Sequence, residues 1–130
     1  MSSEGSASIQ QLLKQLLVDF ANRSPILGAA IFSVEGLPLI SHFLTGTEEV
    51  SVAAMVAGIH SAGEQTVREL KQGNLRSIII QGEMGTTVVI SIAGGYLLTI
   101  TAPENTKMGL VFNDGKQVAR RAGALLQGLI

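Results

Sequence analysis

The sequence contains no cysteine and no tryptophan, and only three prolines, one tyrosine and four phenylalanines in 130 residues. Without cysteine there is neither a disulfide framework nor a thiolate metal site, which fits a reducing compartment. Charged residues make up 15% of the chain and the formal net charge is -1. The basic patch that a nucleic-acid binder needs is therefore missing. No stretch approaches 18 consecutive apolar residues, so no helix is expected to span a membrane. The opening MSSEGSAS has neither the basic region nor the apolar run of a signal peptide. Met1-Ser2 also lacks the glycine that myristoylation requires. The expectation is a cytoplasmic protein with no direct membrane insertion.

What is present is a hydrophobic fraction of 46%, enough for one core and too high for a disordered chain. The stretch Thr45 to Gly73 is a long helix without proline. Thr45 and Glu48 fit a capping box, Glu48 and Glu49 suit the positive end of the helix dipole, and Gly73-Asn74 is a stop. At about 1.5 Å per residue such a helix is roughly 40 Å long. Wound at 100° per residue, Val52, Val56, Ile59, Val67 and Leu70 form a stripe that should face a sheet. Beside it, Ser51, Met55, Gly58, Ala62 and Gln65 form a low groove of mostly small residues. The outer face begins apolar, with Val50, Ala54 and Ala57, and turns polar only at Ser61, Glu64 and Arg68. A helix that is apolar or small nearly all round in its first half is expected to meet partners on two sides.

Ahead of this helix, residues 1–7 read as a flexible tail and residues 8–130 as one domain. Ser8 and Gln11 fit a second capping box, and Ile9, Leu12, Leu13, Leu16, Leu17 and Phe20 recur at helical spacing up to Pro25. Ile26–Val34 and Leu37–Leu44 read as a strand pair joined at Glu35-Gly36, with Pro38 marking a strand start or an edge. After the long helix come Leu75–Gln81, Thr86–Ile92 and Tyr96–Thr101. The second of these is β-branched at six of seven positions. Their connections, Gly82–Gly85 and Ala93–Gly95, are short enough only for hairpins. Ala102-Pro103-Glu104-Asn105 opens a last helix, with Met108, Val111, Val118, Ala122, Leu125 and Leu129 on one face. Asn113-Asp114-Gly115 is a turn signal inside it, but the period continues on both sides. The order α-β-β-α-β-β-β-α predicts an α+β fold, a three-layer α/β/α sandwich around a five-stranded antiparallel sheet.

The sequence offers no catalytic constellation. HExxH, GxSxG and GxxxxGK[ST] are absent, and neither His42 nor His60 has a second ligand at metal spacing. The glycine-bearing loops lie between strands, whereas a phosphate cradle needs a helix N-terminus after it. Arg120-Arg121 reads as helix-end charge. No catalysis by this chain, no metal and no cofactor are expected.

The stretches GAAIFSVEGLPLIS, LRSIIIQGEMGTTVVISIAGGYLLTITAPE and GLVFNDGKQVARRAGALL, with the alanine- and glycine-rich helix between them, resemble the Roadblock/LC7 family over roughly residues 8 to 129. No single motif is diagnostic; the ordered set is. Ser33 stands where members often carry an aspartate before the hairpin glycine. The resemblance implies a profilin-like fold and a homodimer or heterodimer of such units, the homodimer being expected here, in which central helices pack side by side and first meander strands pair. The corresponding interface here is Ser51, Met55, Gly58, Ala62 and Gln65 with Arg76, Ile78 and Ile80. It further implies a small Ras-like GTPase as partner, as for the prokaryotic regulators similar to the gliding-motility protein MglB. That GTPase would contact Val50, Ala54, Ala57, Ser61, Glu64 and Arg68, although the same patch also suits a tighter dimer contact. Arg68 is expected to pair with Glu64, four residues earlier. The alternatives are a small-molecule sensing module and a motor-associated adaptor of the light-chain type.

Overall fold

Alternating β-branched residues and short glycine turns build the sheet around which the chain is layered. The computed structural model describes residues 2–43 and 46–128, with side chains from residue 8 onward. The elements are α1 (Ser2–Arg23), β1 (Gly28–Ser33), β2 (Pro38–Phe43), α2 (Glu49–Glu69), β3 (Ser77–Gly82), β4 (Gly85–Ile92), β5 (Tyr96–Pro103) and α3 (Met108–Leu126). All strand pairs are antiparallel and the sheet order is β2-β1-β5-β4-β3. The α+β sandwich and its element order are those expected from the sequence.

The two faces of the sheet are unequally covered. One carries α1 and α3. Leu13, Leu16, Leu17 and Phe20 of α1 and Val111, Val118 and Ala122 of α3 pack there against Ile31, Val88, Ile90, Leu98 and Ile100. The other face carries α2 alone, with Ala53 and Val56 against Ala30, Phe32, Val89 and Leu97. The turn signal Asn113-Asp114-Gly115 leaves α3 unbroken for two reasons. Gly115 is buried where a Cβ would lie 2.8 Å from the Cδ1 atoms of Ile90 and Ile100. Asp114 Oδ2 accepts a 2.6 Å hydrogen bond from the hydroxyl of Ser24, tying the end of α1 to α3.

Several boundaries differ from the sequence reading. The first helix already begins at Ser2, so Ser8 is not its cap; once Leu13 to Phe20 fix the helix, each further residue extends it at little cost. The last strand continues to Pro103, which pairs with Gly85 at the strand end, where a missing donor is harmless. The last helix therefore starts at Met108 and not at Ala102, after a turn in which Asn105 has φ 66° and Thr106 Oγ1 donates to the Pro103 carbonyl at 2.6 Å. Thr45, Leu44 and Leu129 lie outside the described residues.

Two substitutions test this packing, at fixed protein concentration because association shifts apparent stability. A Cβ on Gly28 would lie 2.7 Å from the His42 carbonyl oxygen and 2.8 Å from Phe43 Cα, both backbone atoms of β2. Gly28→Ala is expected to lower the unfolding free energy in urea by about 1–3 kcal/mol, as overpacking does. Thr99 is fully buried between Ala30 and Val89, and its Oγ1 has no hydrogen-bond partner. Thr99→Val removes that unsatisfied group and is expected to raise stability by about 1 kcal/mol.

Candidate interaction surface

The seating of α2 decides which of its residues face outward. Its buried positions are Ala53, Val56 and His60, with Val52, Gly63 and Val67 half-buried. Near the N-terminal end, Gly36 of the β1–β2 turn, at φ 96°, brings its backbone against Ala53, Ala54 and Ala57. Towards the other end, a Cβ on Gly63 would lie 2.9 Å from Leu75 Cδ2 and 3.4 Å from Ile78 Cδ1. The helix thus crosses from the β1–β2 turn towards the start of β3.

This seating corrects the sheet-facing stripe drawn from the sequence. Val56 is buried and Val52 and Val67 are half-buried, but Ile59 is 38% and Leu70 62% exposed. The true contact line is turned by roughly one helical position, because small Ala53 and Gly63 let the backbone approach where larger side chains were expected to dock. Ile59 then lies one turn beyond Met55, itself 59% exposed, on the flank that borders β3, and Leu70 is exposed at the C-cap. Ser51, Gly58, Ala62 and Gln65 face outward and are exposed. Along the opposite flank run Val50, Ala54, Ser61, Glu64 and Arg68, all exposed, with Ala57 half-buried against Gly36.

The capping and pairing of α2 also differ in detail. Its N-cap is Glu48, with no side-chain cap hydrogen bond, and Ser51 Oγ donates to Glu48 Oε2 at 3.4 Å. At about 1.5 Å per residue its 21 residues span roughly 31 Å. The Arg68–Glu64 pair does not form. Glu64 Oε1 turns back one turn to within 3.7 Å of His60 Nδ1, and among the described residues Arg68 has no carboxylate partner. The stop comes at Lys71 and not at Gly73. Lys71 adopts φ 55°, its N–H bonds to the Arg68 carbonyl at 3.1 Å, and the Gln72 N–H bonds to the Val67 carbonyl at 2.7 Å. This is a Schellman closure with lysine where glycine is favoured.

The two sheet edges are managed differently. On β2, Pro38 removes one donor and Lys14 Nζ of α1 caps the Ser41 carbonyl at 2.6 Å. The β3 edge has neither device: it pairs only with β4 and carries Ile78, Ile79 and Ile80 in succession. Ile78 is half-buried under α2, Ile80 lies on the same face at 39% exposure, and Ile79 faces the other way at 50%. An open apolar edge of this kind is a template for another strand. Arg76 precedes β3; its carbonyl accepts from the Ser91 N–H at 3.0 Å. Ile59, Leu70 and Ile79 are surface residues that the sequence reading did not assign to an interface. The signal was there: the apolar arc of α2 is wider than one sheet contact can absorb.

A model of the Roadblock/LC7 domain matches residues 12–102, a span containing most of α1, α2 and nearly the whole sheet. The chain belongs to the Roadblock/LC7 family. Two uncharacterized proteins of Methanocaldococcus jannaschii are each 25% identical to this Roadblock/LC7 chain over 114 residues, 88% of it and 99% of theirs. Among solved structures, an MglB described as having a tetrameric arrangement superposes with a TM-score of 0.87 at 17% identity, covering 94% of this chain and 93% of that one. The MglB gliding protein of Thermus thermophilus gives 0.86 at 17% identity over 92% of each chain. Profilin II of Acanthamoeba castellanii gives 0.62 at 15% identity, covering 92% of this chain and 98% of its own. These likenesses establish a Roadblock/LC7 fold with profilin-like layering. Among the described residues no three His, Cys, Asp or Glu side chains gather as metal ligands, and no helix is long and apolar enough to cross a membrane.

Lys71→Gly tests the closure that ends α2 next to β3. Relief of a left-handed non-glycine residue outweighs the entropy lost by glycine, so the variant should unfold at higher urea, by about 0.5–1 kcal/mol.

Proposed function

We propose that this Roadblock/LC7 chain acts as a homodimer that serves as a non-catalytic platform for a small Ras-like GTPase. The observation that carries the reading is that apolar side chains are exposed both on α2, at Met55 and Ile59, and on β3, at Ile79 and Ile80, a strand that pairs on one side only. A second copy, related by a two-fold axis, would cover that surface and pair its β3 with this one. The outward residues Ser51, Gly58, Ala62 and Gln65 are small or flexible enough to let two α2 helices approach, with Ile78 and Ile80 beneath them. Arg76 sits at the end of the paired strands in this arrangement. The MglB likeness supports an assembly, since one such structure is described as tetrameric.

In that dimer the other flank of α2 stays open, with Val50, Ala54, Ala57, Ser61, Glu64 and Arg68 as the GTPase contact. The platform would act by ordering the switch loops of the GTPase so that its own residues position the attacking water. Arg68, exposed and without an ion pair among the described residues, is part of the contact and not a donor to the transferred phosphate.

Light scattering should give twice the chain mass of 13.6 kDa, and Ile80→Glu should shift the mass to that of one chain while circular dichroism is retained. A single-chain mass for the wild type at tens of micromolar would overturn the dimer. Hydrolysis by a Ras-like GTPase encoded beside this chain, measured with and without it, separates activator from scaffold. Arg68→Ala should leave any stimulated turnover within about twofold; a loss of about 1,000-fold or more with the complex intact would make Arg68 a trans-acting arginine. Absence of binding to the GTPase by a proven dimer would sink the GTPase half of the proposal.

A further inference from the structure

Three of the nine lysines and arginines in this chain meet in one place. On the sheet face opposite α2, an open groove of about 620 Å³ runs between α3 and the start of β3. Arg76 lines it from the sheet side. Lys116 and Arg120 line it from α3, one turn apart and about 6 Å along the helix axis. All three are exposed, and among the described residues none is in a salt bridge. No Asp or Glu lines the groove, although the chain carries ten. Lys116 Nζ lies 4.7 Å from the centroid of the Phe112 ring, which holds the ammonium at the groove wall.

The rest of the lining is small and polar. Leu75 turns its methyls to Gly63 of α2, and Ile90 is buried under Gly115 of α3. What the groove offers besides charge is the hydroxyl of Ser77, the amide of Gln127 and the short side chains of Ala93 and Ala124. It has no bed for an apolar group and several donors for an anion. Nor does the helix itself account for the cations. α3 has no basic residue in its last turn, and the pull of a helix C-terminus falls off within that turn. Arg120 is therefore a groove residue and not the helix-end charge expected from the sequence. Like charges gathered without a counter-charge repel one another unless an anion joins them.

We infer that this groove binds a small ligand bearing two phosphoryl groups. Arg76 and Arg120 supply planar forks that match phosphate oxygens two at a time, and Lys116 supplies a point charge. A terminal phosphoryl group carries about −1.5 to −2 charge at pH 7, so two of them match three cations and one does not. The volume falls within the roughly 300–1,000 Å³ of small-molecule sites. A nucleic-acid strand would need a longer basic stripe than a chain of net charge -1 provides. A soluble bisphosphate and the bisphosphate headgroup of a lipid share this chemistry. Only residues of one chain are used, so the inference stands apart from the dimer and GTPase readings.

The test is isothermal titration calorimetry of the full chain with pyrophosphate at 50 mM salt. It is expected to give one site with a Kd of about 10–100 μM, weakening at least threefold at 300 mM salt. Orthophosphate and sulfate should bind at least tenfold more weakly. Arg76 also sits at the end of the strands paired in the proposed dimer, so the substitutions fall on α3. Lys116→Ala/Arg120→Ala should lose at least tenfold in affinity with unchanged circular dichroism. Arg120→Lys should lose part of that, because the fork goes while the charge stays. Arg121→Ala, at the next residue of α3 and outside the groove lining, should stay within twofold. Amide NMR shifts should fall on Ser77, Ala93 and Gly123 and not on α2. The inference is overturned if 5 mM pyrophosphate does not bind, if sulfate binds as well, or if Arg121→Ala weakens binding as much as the double variant does. Phosphatidylcholine vesicles with 5% phosphatidylinositol 4,5-bisphosphate assign the source. Sedimentation with them that the double variant loses, together with binding of soluble inositol 1,4,5-trisphosphate, makes it a lipid headgroup. Pyrophosphate binding without sedimentation makes it a soluble ligand. Sedimentation without binding of either soluble probe would be general attraction to a charged membrane and would sink the site.

Discussion

A five-stranded sheet is wider than the helices available to cover it. Five strands at about 4.8 Å make a sheet about 24 Å wide, while two packed helices at about 8–10 Å each cover about 16–20 Å. Two helices side by side, α1 and α3, therefore cover most of one face and leave β3 bare. One helix, α2, covers about half of the other. The exposed flank of α2, the open β3 edge and the cationic groove over β3 are three results of this shortage. All lie towards the same end of the sheet, because α1 and α2 are seated over β1 and β2, and α3 over β4 and β5.

Most of the architecture was legible in the sequence because it rests on period and on turn chemistry. The three-strand meander followed from β-branched runs separated by loops too short for anything but hairpins. The continuity of α3 through Asn113-Asp114-Gly115 followed from a hydrophobic period that persisted on both sides of a local turn signal. Less legible was whatever depends on how closely two elements approach. The rotation of α2 is set by Ala53 and Gly63, and small side chains carry almost no weight in a hydrophobic stripe. The extension of β5 to Pro103 and the late start of α3 depend on pairing with Gly85, a partner far away in sequence.

The candidate surface was legible in kind more than in detail. An apolar arc too broad for one contact pointed to a second partner for α2, and Met55, Ile78 and Ile80 are exposed or half-exposed on the β3 side of that helix. Ile59 and Leu70 were assigned to the wrong side of it, for the reason just given. The Glu64–Arg68 spacing suits an ion pair, yet His60 one turn earlier takes the carboxylate; spacing alone does not choose between two partners at equal distance along a helix. The groove beside α3 was not foreseen. Lys116, Arg120 and Arg76 are far apart in sequence, and only the packing of α3 against β4 brings them to one trough.

The hydrogen bond from Lys14 to the Ser41 carbonyl has a bearing on how far such a chain could grow. A sheet with two open edges is a monomer unit for a filament, since each addition exposes a fresh end. Here one end carries Pro38 and a lysine cap, and only the other is bare. Joining bare end to bare end consumes both, so edge pairing would terminate after a single step. A single ammonium group on α1, remote from α2 and β3, would thereby make a closed pair the end of growth and keep an apolar edge from seeding a fibre.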